Sequence, residues 1–309
     1  MQIAVSAIEK AYATVSAVRG VSFTIASGEI FALLGPNGAG KSSIIRMLVG
    51  MTQPDNGTIE INHQGQVYYH VPRRHLGYLP EDRGLYPDKS VEKNLLYLAQ
   101  LHGLSKAQAL QEMSHWLEIF ELTERRKEDL KQLSKGNQQK VQLIAAVIHQ
   151  PALVILDEPF SGLDPINQEK VVDFLKTLRA KGMTVILSAH QMAMVEKLAD
   201  RMLLMAKGQI VLAGTLAEIR QQAQPKPEVV IETEQAVSRE QLALLLPELP
   251  VTQHTPTRFS VFLPAAAHLS ACLQQLLSQL SVQSVSMQTP DLHQLYLTAM
   301  AAHQQEDRS

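Results

Sequence analysis

The chain up to about residue 61 combines short apolar segments with a glycine-rich turn. Four of these segments, IAVSAIEK, VSFTIA, EIFALLG and GTIEIN, have the alternating or continuous apolar pattern of β-strands. Directly after the turn, SSIIRMLVGM has apolar residues at the spacing of a helix. We therefore expect one mixed sheet that surrounds the turn, with a helix that begins at its end.

The middle of the chain predicts a helical block followed by alternating strands and helices. From about residue 87 to 131, VEKNLLYLAQLHG and KAQALQEMSHWLEIF carry apolar residues three and four positions apart. After this block come ALVILDE, a helix at about 167–180, TVILSAH, and a helix around MAMVEKLAD. This alternation indicates a parallel sheet with right-handed crossovers, into which the helical block is inserted.

The last third of the chain predicts a second, smaller domain. The segment RMLLMAKGQIVLAG predicts a hairpin that turns at Lys207 and Gly208, and the polar QQAQPKPE after it is typical of a linker. From about Pro227 the pattern is strand, helix, strand, strand, helix, strand, helix, which suggests a ferredoxin-like α+β unit. We expect a large domain at 1–220, with a helical subdomain at about 87–140, and a linker and accessory domain at 221–309.

The composition limits which binding partners and which cellular compartment are expected for this chain. The formal net charge of −2 offers no excess of positive charge for phosphate backbones, so nucleic acid is not a favoured partner. The single cysteine, Cys272, cannot form an internal disulfide, and MQIAVSAIEK lacks the pattern of a signal peptide. No apolar run approaches the roughly 20 residues that cross a bilayer. We expect a cytoplasmic setting in which any membrane span belongs to another polypeptide.

The glycine-rich turn fits the phosphate-loop pattern. It lies between the strand EIFALL and the helix SSIIRML, and this placement argues against a chance match. Glycines let backbone N–H groups point at phosphate oxygens, Lys41 adds a full charge, and Ser42 offers a hydroxyl to Mg²⁺. The residues predicted to hold the phosphates of ATP are Gly35, Pro36, Asn37, Gly38, Ala39, Gly40, Lys41, Ser42 and Ser43.

Further motifs follow in one order, and together they resemble the ATP-binding cassette (ABC) ATPases. The segment LSKGNQQ at 133–139 is similar to the family's signature, usually Leu-Ser-Gly-Gly-Gln, with Lys135 and Asn137 as departures. Ser134 is also a good N-cap for the helix that follows, and in isolation capping is an equally good explanation. The resemblance implies that Ser134, Gly136 and Asn137 contact the γ-phosphate held by an opposite subunit.

Two carboxylates, a loop and a histidine complete the resemblance. LVILDE is a buried-type strand that ends in Asp157 and Glu158, at the edge where α/β sheets bind ligands. The resemblance implies that Asp157 holds Mg²⁺ and that Glu158 is the general base for the attacking water. It also implies that the loop at 161–165, with Asp164, crosses the dimer interface, and that His190 contacts the γ-phosphate. Alone, this loop could be a simple turn and the histidine a structural one.

Two positions carry weaker signals. Tyr12 occupies the place of the family's adenine-stacking aromatic, although a strand tyrosine also packs against its neighbours. Glu81 occupies the place of a glutamine that touches Mg²⁺ and water and senses the membrane partner. Glutamate keeps an oxygen ligand but adds a charge. We expect force to pass through the surface after Glu81, including Arg83, Leu85 and Tyr86.

The resemblance implies a P-loop NTPase fold, RecA-like, with an antiparallel β subdomain and a helical subdomain. It also implies ATP and Mg²⁺ as cofactors, a catalytic set of Lys41, Glu158 and His190, and two ATP molecules enclosed between two cassettes. A homodimer would have two competent sites. It would act on a separate transmembrane permease, as a peripheral protein on the cytoplasmic face of the inner membrane.

Smaller sequence details favour an exporter subunit over two alternative functions. GYLPEDRGLYP, LSKGNQQK and the tail TPDLHQLYL resemble the sodium- and drug-type exporter cassettes. One alternative is a non-transport ABC ATPase that acts on the ribosome or on DNA. Such proteins usually carry two cassettes or a long coiled coil, whereas here about ninety residues without heptads separate phosphate loop and signature. The other, a module that binds ATP without hydrolysis, conflicts with the presence of Glu158 and His190.

Overall fold

The computed structural model describes residues 1–81, 84–224, 227–263 and 268–306. The chain contains two compact units, which span Met1–Ile219 and Arg220–Ala302. Among the described residues, no helix combines the length and the apolar character that crossing a bilayer requires.

The N-terminal strands divide between two sheets. They are β1 (Gln2–Tyr12), β2 (Val15–Ile25), β3 (Ile30–Leu34), β4 (Asn56–His63) and β5 (Gln66–Tyr68). Strands β2, β1, β4 and β5 form an antiparallel sheet in that order. The prediction of one mixed sheet is therefore wrong, whereas the antiparallel β subdomain that the family resemblance implies is confirmed. All five residues of β3 are buried, and a strand buried on both faces belongs in a central parallel sheet.

The second sheet has six strands in the order β10-β9-β3-β8-β7-β6. Its remaining members are β6 (Leu76–Leu79), β7 (Leu153–Asp157), β8 (Thr184–Ala189), β9 (Arg201–Ala206) and β10 (Gln209–Gly214). All neighbours are parallel except β9 and β10, which form the predicted hairpin at Lys207 and Gly208. Strands β7 and β8 are buried at every residue, which explains their continuous apolar sequences. The predicted parallel sheet is confirmed.

Seven α-helices lie among the described residues up to 224, the last of which extends past the end of the first unit. They are α1 (Lys41–Leu48), α2 (Val91–Leu101), α3 (Lys106–Ile119), α4 (Lys135–Val147), α5 (Pro165–Ala180), α6 (Met192–Glu196) and α7 (Leu216–Ala223). Helices α2 and α3 confirm the predicted helical block, and Ser90 and Ser105 cap them. Helix α1 joins the two sheets, because Ile44, Ile45 and Leu48 pack in one core with residues of both.

The smaller unit has the ferredoxin-like arrangement that the sequence predicts. Its elements are β11 (Glu228–Thr233), α8 (Arg239–Leu245), β12 (Val251–Thr255), β13 (Arg258–Phe262), α9 (Leu269–Leu277), β14 (Val282–Gln288) and α10 (Leu292–Glu306), of which α10 belongs to the unit as far as Ala302. The strands form an antiparallel sheet in the order β12-β13-β11-β14. Its core packs Ile231 and Phe259 of the sheet against Leu242 of α8 and Leu276 of α9.

Candidate functional site

The glycine-rich loop connects β3 to α1, and its glycines are required by close backbone contacts. Gly35 and Gly40 have φ angles of +144° and +104°. A Cβ atom on Gly35 would lie 2.3 Å from the Met205 carbonyl oxygen, and one on Gly40 would lie 2.4 Å from that of Ala17. Only glycine therefore fits at either position. Gly40 is the N-cap of α1 and has no side chain that could accept hydrogen bonds from the first turn. The first N–H groups of α1 therefore remain available to an anion.

A cavity of about 330 Å³ lies over this loop and brings several predicted residues together. Its lining residues are Val15, Ala17, Asn37, Gly38, Ala39, Gly40, Lys41, Ser42, Ser43, Glu81, Asp157 and Glu158. Strand β6, which the sequence analysis did not predict, pairs with β7 and ends two residues before Glu81. The parallel sheet thereby places Glu81 beside the two carboxylates that follow β7.

The Lys41 ammonium lies inside the loop. Its Nζ donates hydrogen bonds to the carbonyl oxygens of Gly35 at 2.7 Å and Pro36 at 3.2 Å. Burial lowers the pKa of the Lys41 ammonium, while the Glu158 and Asp157 carboxylates act in the opposite direction. A buried, partly desolvated cation at this position is suited to bind a phosphate.

Ser188, which belongs to none of the predicted motifs, holds the Asp157 carboxylate and the Glu158 backbone in place. Its hydroxyl donates a hydrogen bond to the Asp157 carboxylate, which is buried. The backbone N–H of Glu158 donates to both the carbonyl oxygen and the hydroxyl of Ser188, each at 3.2 Å. Ser188 is a polar residue inside the wholly buried strand β8, and that burial is the signal that could have identified it.

Glu158 and His190 form a hydrogen-bonded pair. His190 Nδ1 lies 2.8 Å from Glu158 Oε2, and the histidine side chain is half exposed while the glutamate is mostly buried. Burial raises the pKa of the Glu158 carboxyl, and His190 opposes that rise. Glu158 also has a φ of +52°, a strained value for a non-glycine residue. Such strain and a raised pKa are typical of a general base.

The signature residues lie at the start of α4 and do not line the cavity. Ser134 caps this helix by accepting a hydrogen bond from the Asn137 N–H at 3.3 Å, and Ser134 and Lys135 are both exposed. The first turn of α4 contains no acidic residue. Gly136 lies against the loop at 161–165, because a Cβ there would be 3.4 Å from the Leu163 side chain. The helix start is thus an exposed surface that could accept an anion.

Asp164 and Tyr12 lie outside the cavity lining as well. Asp164 caps α5, accepting from the Asn167 N–H at 3.0 Å, and this bond lowers the pKa of its carboxyl. Tyr12 is 40% exposed and lies opposite Val15, which lines the cavity. An exposed ring beside the cavity is suited to stack on a base. The nucleotide contacts of Asp164 and Tyr12 stay predictions.

The surface after Glu81 is partly described. Tyr86 is 53% exposed, and its ring lies 5.8 Å from that of Tyr97 on α2, itself 49% exposed. Leu85 lines a neighbouring cavity of about 220 Å³. Arg83, predicted for the same surface, lies outside the described residues.

The oxygen ligands around the larger cavity fit a magnesium ion. Ser42 offers a hydroxyl and Glu81 and Asp157 offer carboxylates, the hard donors that Mg²⁺ prefers. Within the described ranges, no three His, Cys, Asp or Glu side chains are grouped so as to hold a metal by themselves. This agrees with nucleotide sites, where Mg²⁺ is held by one or two carboxylates together with phosphate oxygens.

The fold and the site together define the class of protein. A glycine-rich loop between a buried parallel strand and a helix, with its lysine and nearby carboxylates, is the site of a P-loop NTPase.

Known proteins resemble this chain over about two thirds of its length or more. Residues 18–161 match the family model described as ABC transporter. YhaQ of Bacillus subtilis, named as an uncharacterized ABC transporter ATP-binding protein, is 42% identical over 69% of this chain and 71% of its own length. The Nod factor export ATP-binding protein I of Mesorhizobium japonicum is 37% identical over 67% of this chain and 61% of its own length.

A solved structure gives the same assignment. The ATP-binding subunit of an ABC transporter has a TM-score of 0.65 and 33% identity to this chain, covering 72% of this chain and 93% of its own. This chain belongs to the family of ABC transporter ATP-binding proteins and is an ATPase of that class.

Proposed function

We propose that two copies of this chain close around two ATP molecules and that hydrolysis drives export through a separate membrane subunit. One observation carries the proposal. Lys41 and Glu158 line the cavity, whereas the exposed Ser134 and Lys135 at the start of α4 are absent from its lining. A second copy of the chain can supply that helix start to the cavity, and the first copy can do the same in return.

The side chains of the cavity divide the chemistry between them. The N–H groups at the start of α1 and the Lys41 ammonium bind the phosphates. Glu158 accepts a proton from the attacking water, and His190 orients its carboxylate through the bond at 2.8 Å. Ser188 fixes the backbone at Glu158 and the carboxylate of Asp157. Mg²⁺, when bound by Ser42, Asp157 and Glu81 with the nucleotide, supplies charge neutralisation at the phosphates.

The membrane partner and the direction of transport are supported by the comparisons and by one surface. A relative that is 37% identical is named for Nod factor export. The exposed aromatic rings of Tyr86 and Tyr97 form an apolar patch that is suited to protein contact, and Tyr86 follows Glu81 by five positions in the sequence. We infer a peripheral position on the cytoplasmic face of the inner membrane, with a permease as partner and no role for nucleic acid.

Mixing two inactive variants tests the shared site. Lys41→Ala removes the phosphate-binding half, and Ser134→Arg blocks the start of α4 with a bulky side chain. Each variant alone has two defective sites in its dimer. A random mixture should recover up to about a quarter of wild-type turnover, because about half of its dimers are mixed and each mixed dimer has one intact site. Phosphate release measures the recovery.

The mixture also separates this proposal from a site complete within one chain. In that case Ser134→Arg would keep wild-type turnover by itself and mixing would add nothing. Mixing Ser134→Arg with Glu158→Gln instead of Lys41→Ala provides a second test, because the Glu158→Gln chain also keeps an intact α4 start.

His190→Ala should move the acidic limb of the pH–rate profile to higher pH. The base must be deprotonated to act, and His190 lowers the pKa of Glu158 against the raising effect of burial. Without His190 that pKa rises, so activity begins at a higher pH. Single-turnover hydrolysis from pH 5 to 9 measures the limb. A profile that falls in amplitude but keeps its limb would show that His190 does not act through Glu158.

A further inference from the structure

Strand β14 is an exposed edge of the smaller unit's sheet. It lies at one end of the strand order, and six of its seven residues are exposed. Its sequence, VQSVSMQ, contains no charged residue and no proline. Edge strands are usually protected by charge, proline or short length, because their free N–H and C=O groups can pair with another strand. β14 lacks the first two forms of protection along its regular part, from Ser284 to Gln288.

The opposite edge of the same sheet is protected in a way that β14 is not. β12 has only five residues, and Pro250 and Pro256 flank it directly. Proline has no N–H to donate, so pairing cannot extend past either end of β12. On β14 a bulge at Gln283 interrupts pairing only at the start, and the five residues that follow are in regular register with β11.

The regular part of β14 is complementary to itself. Val285 and Met287 lie on the same face of the sheet as Ile231 and Val229, yet they remain 41% and 50% exposed. In an antiparallel pair of two β14 strands centred on Ser286, each Val285 lies opposite a Met287 of the other copy. The polar residues Ser284 and Gln288 then face each other on the other side. Every apolar side chain meets an apolar one, and no charges meet.

We propose that β14 pairs antiparallel with β14 of a second copy, with Ser286 at the two-fold axis. The two four-stranded sheets become one of eight strands, and this interface is isologous, as in most homodimers. A second copy is the occupant to which this strand is suited, because no charge opposes pairing of the strand with itself and the exposed Val285 and Met287 side chains then cover one another. The contact requires no nucleotide and thus goes beyond the ATP-dependent pairing proposed above.

Cysteine crosslinking of the full chain tests the register. Directly opposed residues of antiparallel strands have Cα atoms about 4.5–5.5 Å apart, which a disulfide can bridge. Ser286→Cys should form a dimer under mild oxidation without nucleotide, and Val285→Cys should crosslink mainly when mixed with Met287→Cys. Wild-type chain, whose one cysteine, Cys272, is buried, is the blank. Thr252→Cys, exposed on β12, is the matched control.

Sedimentation equilibrium of nucleotide-free chain tests the contact without crosslinks. Val285→Lys with Met287→Lys brings four like charges together at the axis and should weaken the dimer by about 100-fold or more. Thr252→Lys should leave the dimer unchanged. A monomeric wild-type chain, or crosslinking no stronger than that of Thr252→Cys, would overturn the proposal. Retention of ATP-dependent pairing in the double lysine variant would show that the two contacts are separate.

Discussion

Glu158→Gln should lower ATP turnover by about 10²–10⁴-fold, the usual contribution of general base catalysis. The amide has nearly the same shape as the carboxylate and can still accept a hydrogen bond from His190. In the wild-type chain His190 Nδ1 lies 2.8 Å from Glu158 Oε2. It cannot accept a proton from water. ATP therefore remains bound, and the two chains should stay paired. Phosphate release in a single turnover and the mass of the ATP-bound species measure both effects.

A second glutamate provides the control for that substitution. Glu169 lies on α5, is exposed, and pairs with Lys197 at the surface. Glu169→Gln removes the same charge outside the cavity, so turnover should stay near the wild-type rate. Turnover of Glu158→Gln within a few-fold of wild type would assign the base to another group.

The parts of the fold that were predictable are those in which burial sets the pattern. Strands β7 and β8 are buried at every residue and have continuous apolar sequences. These sequences were enough to predict that both segments are strands and that they pair in parallel. The same argument, applied to the equally buried β3, would have separated it from the antiparallel strands. The ferredoxin-like unit was predictable because its order of strands and helices admits few arrangements.

The missed elements are short and half exposed. β6 has four residues, LGYL, of which two are buried, and β5 has three, none of them buried. Segments of this length carry too few alternations to be distinguished from loops. β6 nevertheless matters for the site, because its pairing with β7 places Glu81 on the cavity wall.

The geometry of the site could not be predicted, because it depends on contacts between residues that are far apart in the sequence. The positive φ of Glu158 is fixed by the two hydrogen bonds that its backbone N–H donates to Ser188, and these form only when β7 and β8 are side by side. The direct bond between Glu158 and His190 joins residues that are 32 positions apart in the chain. The order of the motifs was enough to identify Glu158 and His190 as site residues. The raised pKa of Glu158 could not be predicted, because it depends on the burial of the carboxyl and on its neighbours in space.

Lys41→Ala should weaken ATP binding by roughly 1.5–3 kcal/mol, the value of a hydrogen bond to a charged group. Isothermal titration calorimetry with a non-hydrolysable ATP analogue and Mg²⁺ measures the change. Lys176→Ala, an exposed lysine on α5, removes an equal charge outside the cavity and should leave the affinity unchanged. Unchanged affinity in Lys41→Ala would refute the phosphate-loop assignment.

Loss of affinity must be separated from loss of structure, since the Lys41 ammonium also bonds to the Gly35 and Pro36 carbonyl oxygens. Its pKa is lowered by burial, so the folded chain binds this proton less tightly than the unfolded chain does. At neutral pH the charged form therefore subtracts from stability, and this cost offsets the two hydrogen bonds. The melting temperature of the nucleotide-free variant should change little. The stabilisation that ATP adds should fall, because the triphosphate is what compensates the buried charge.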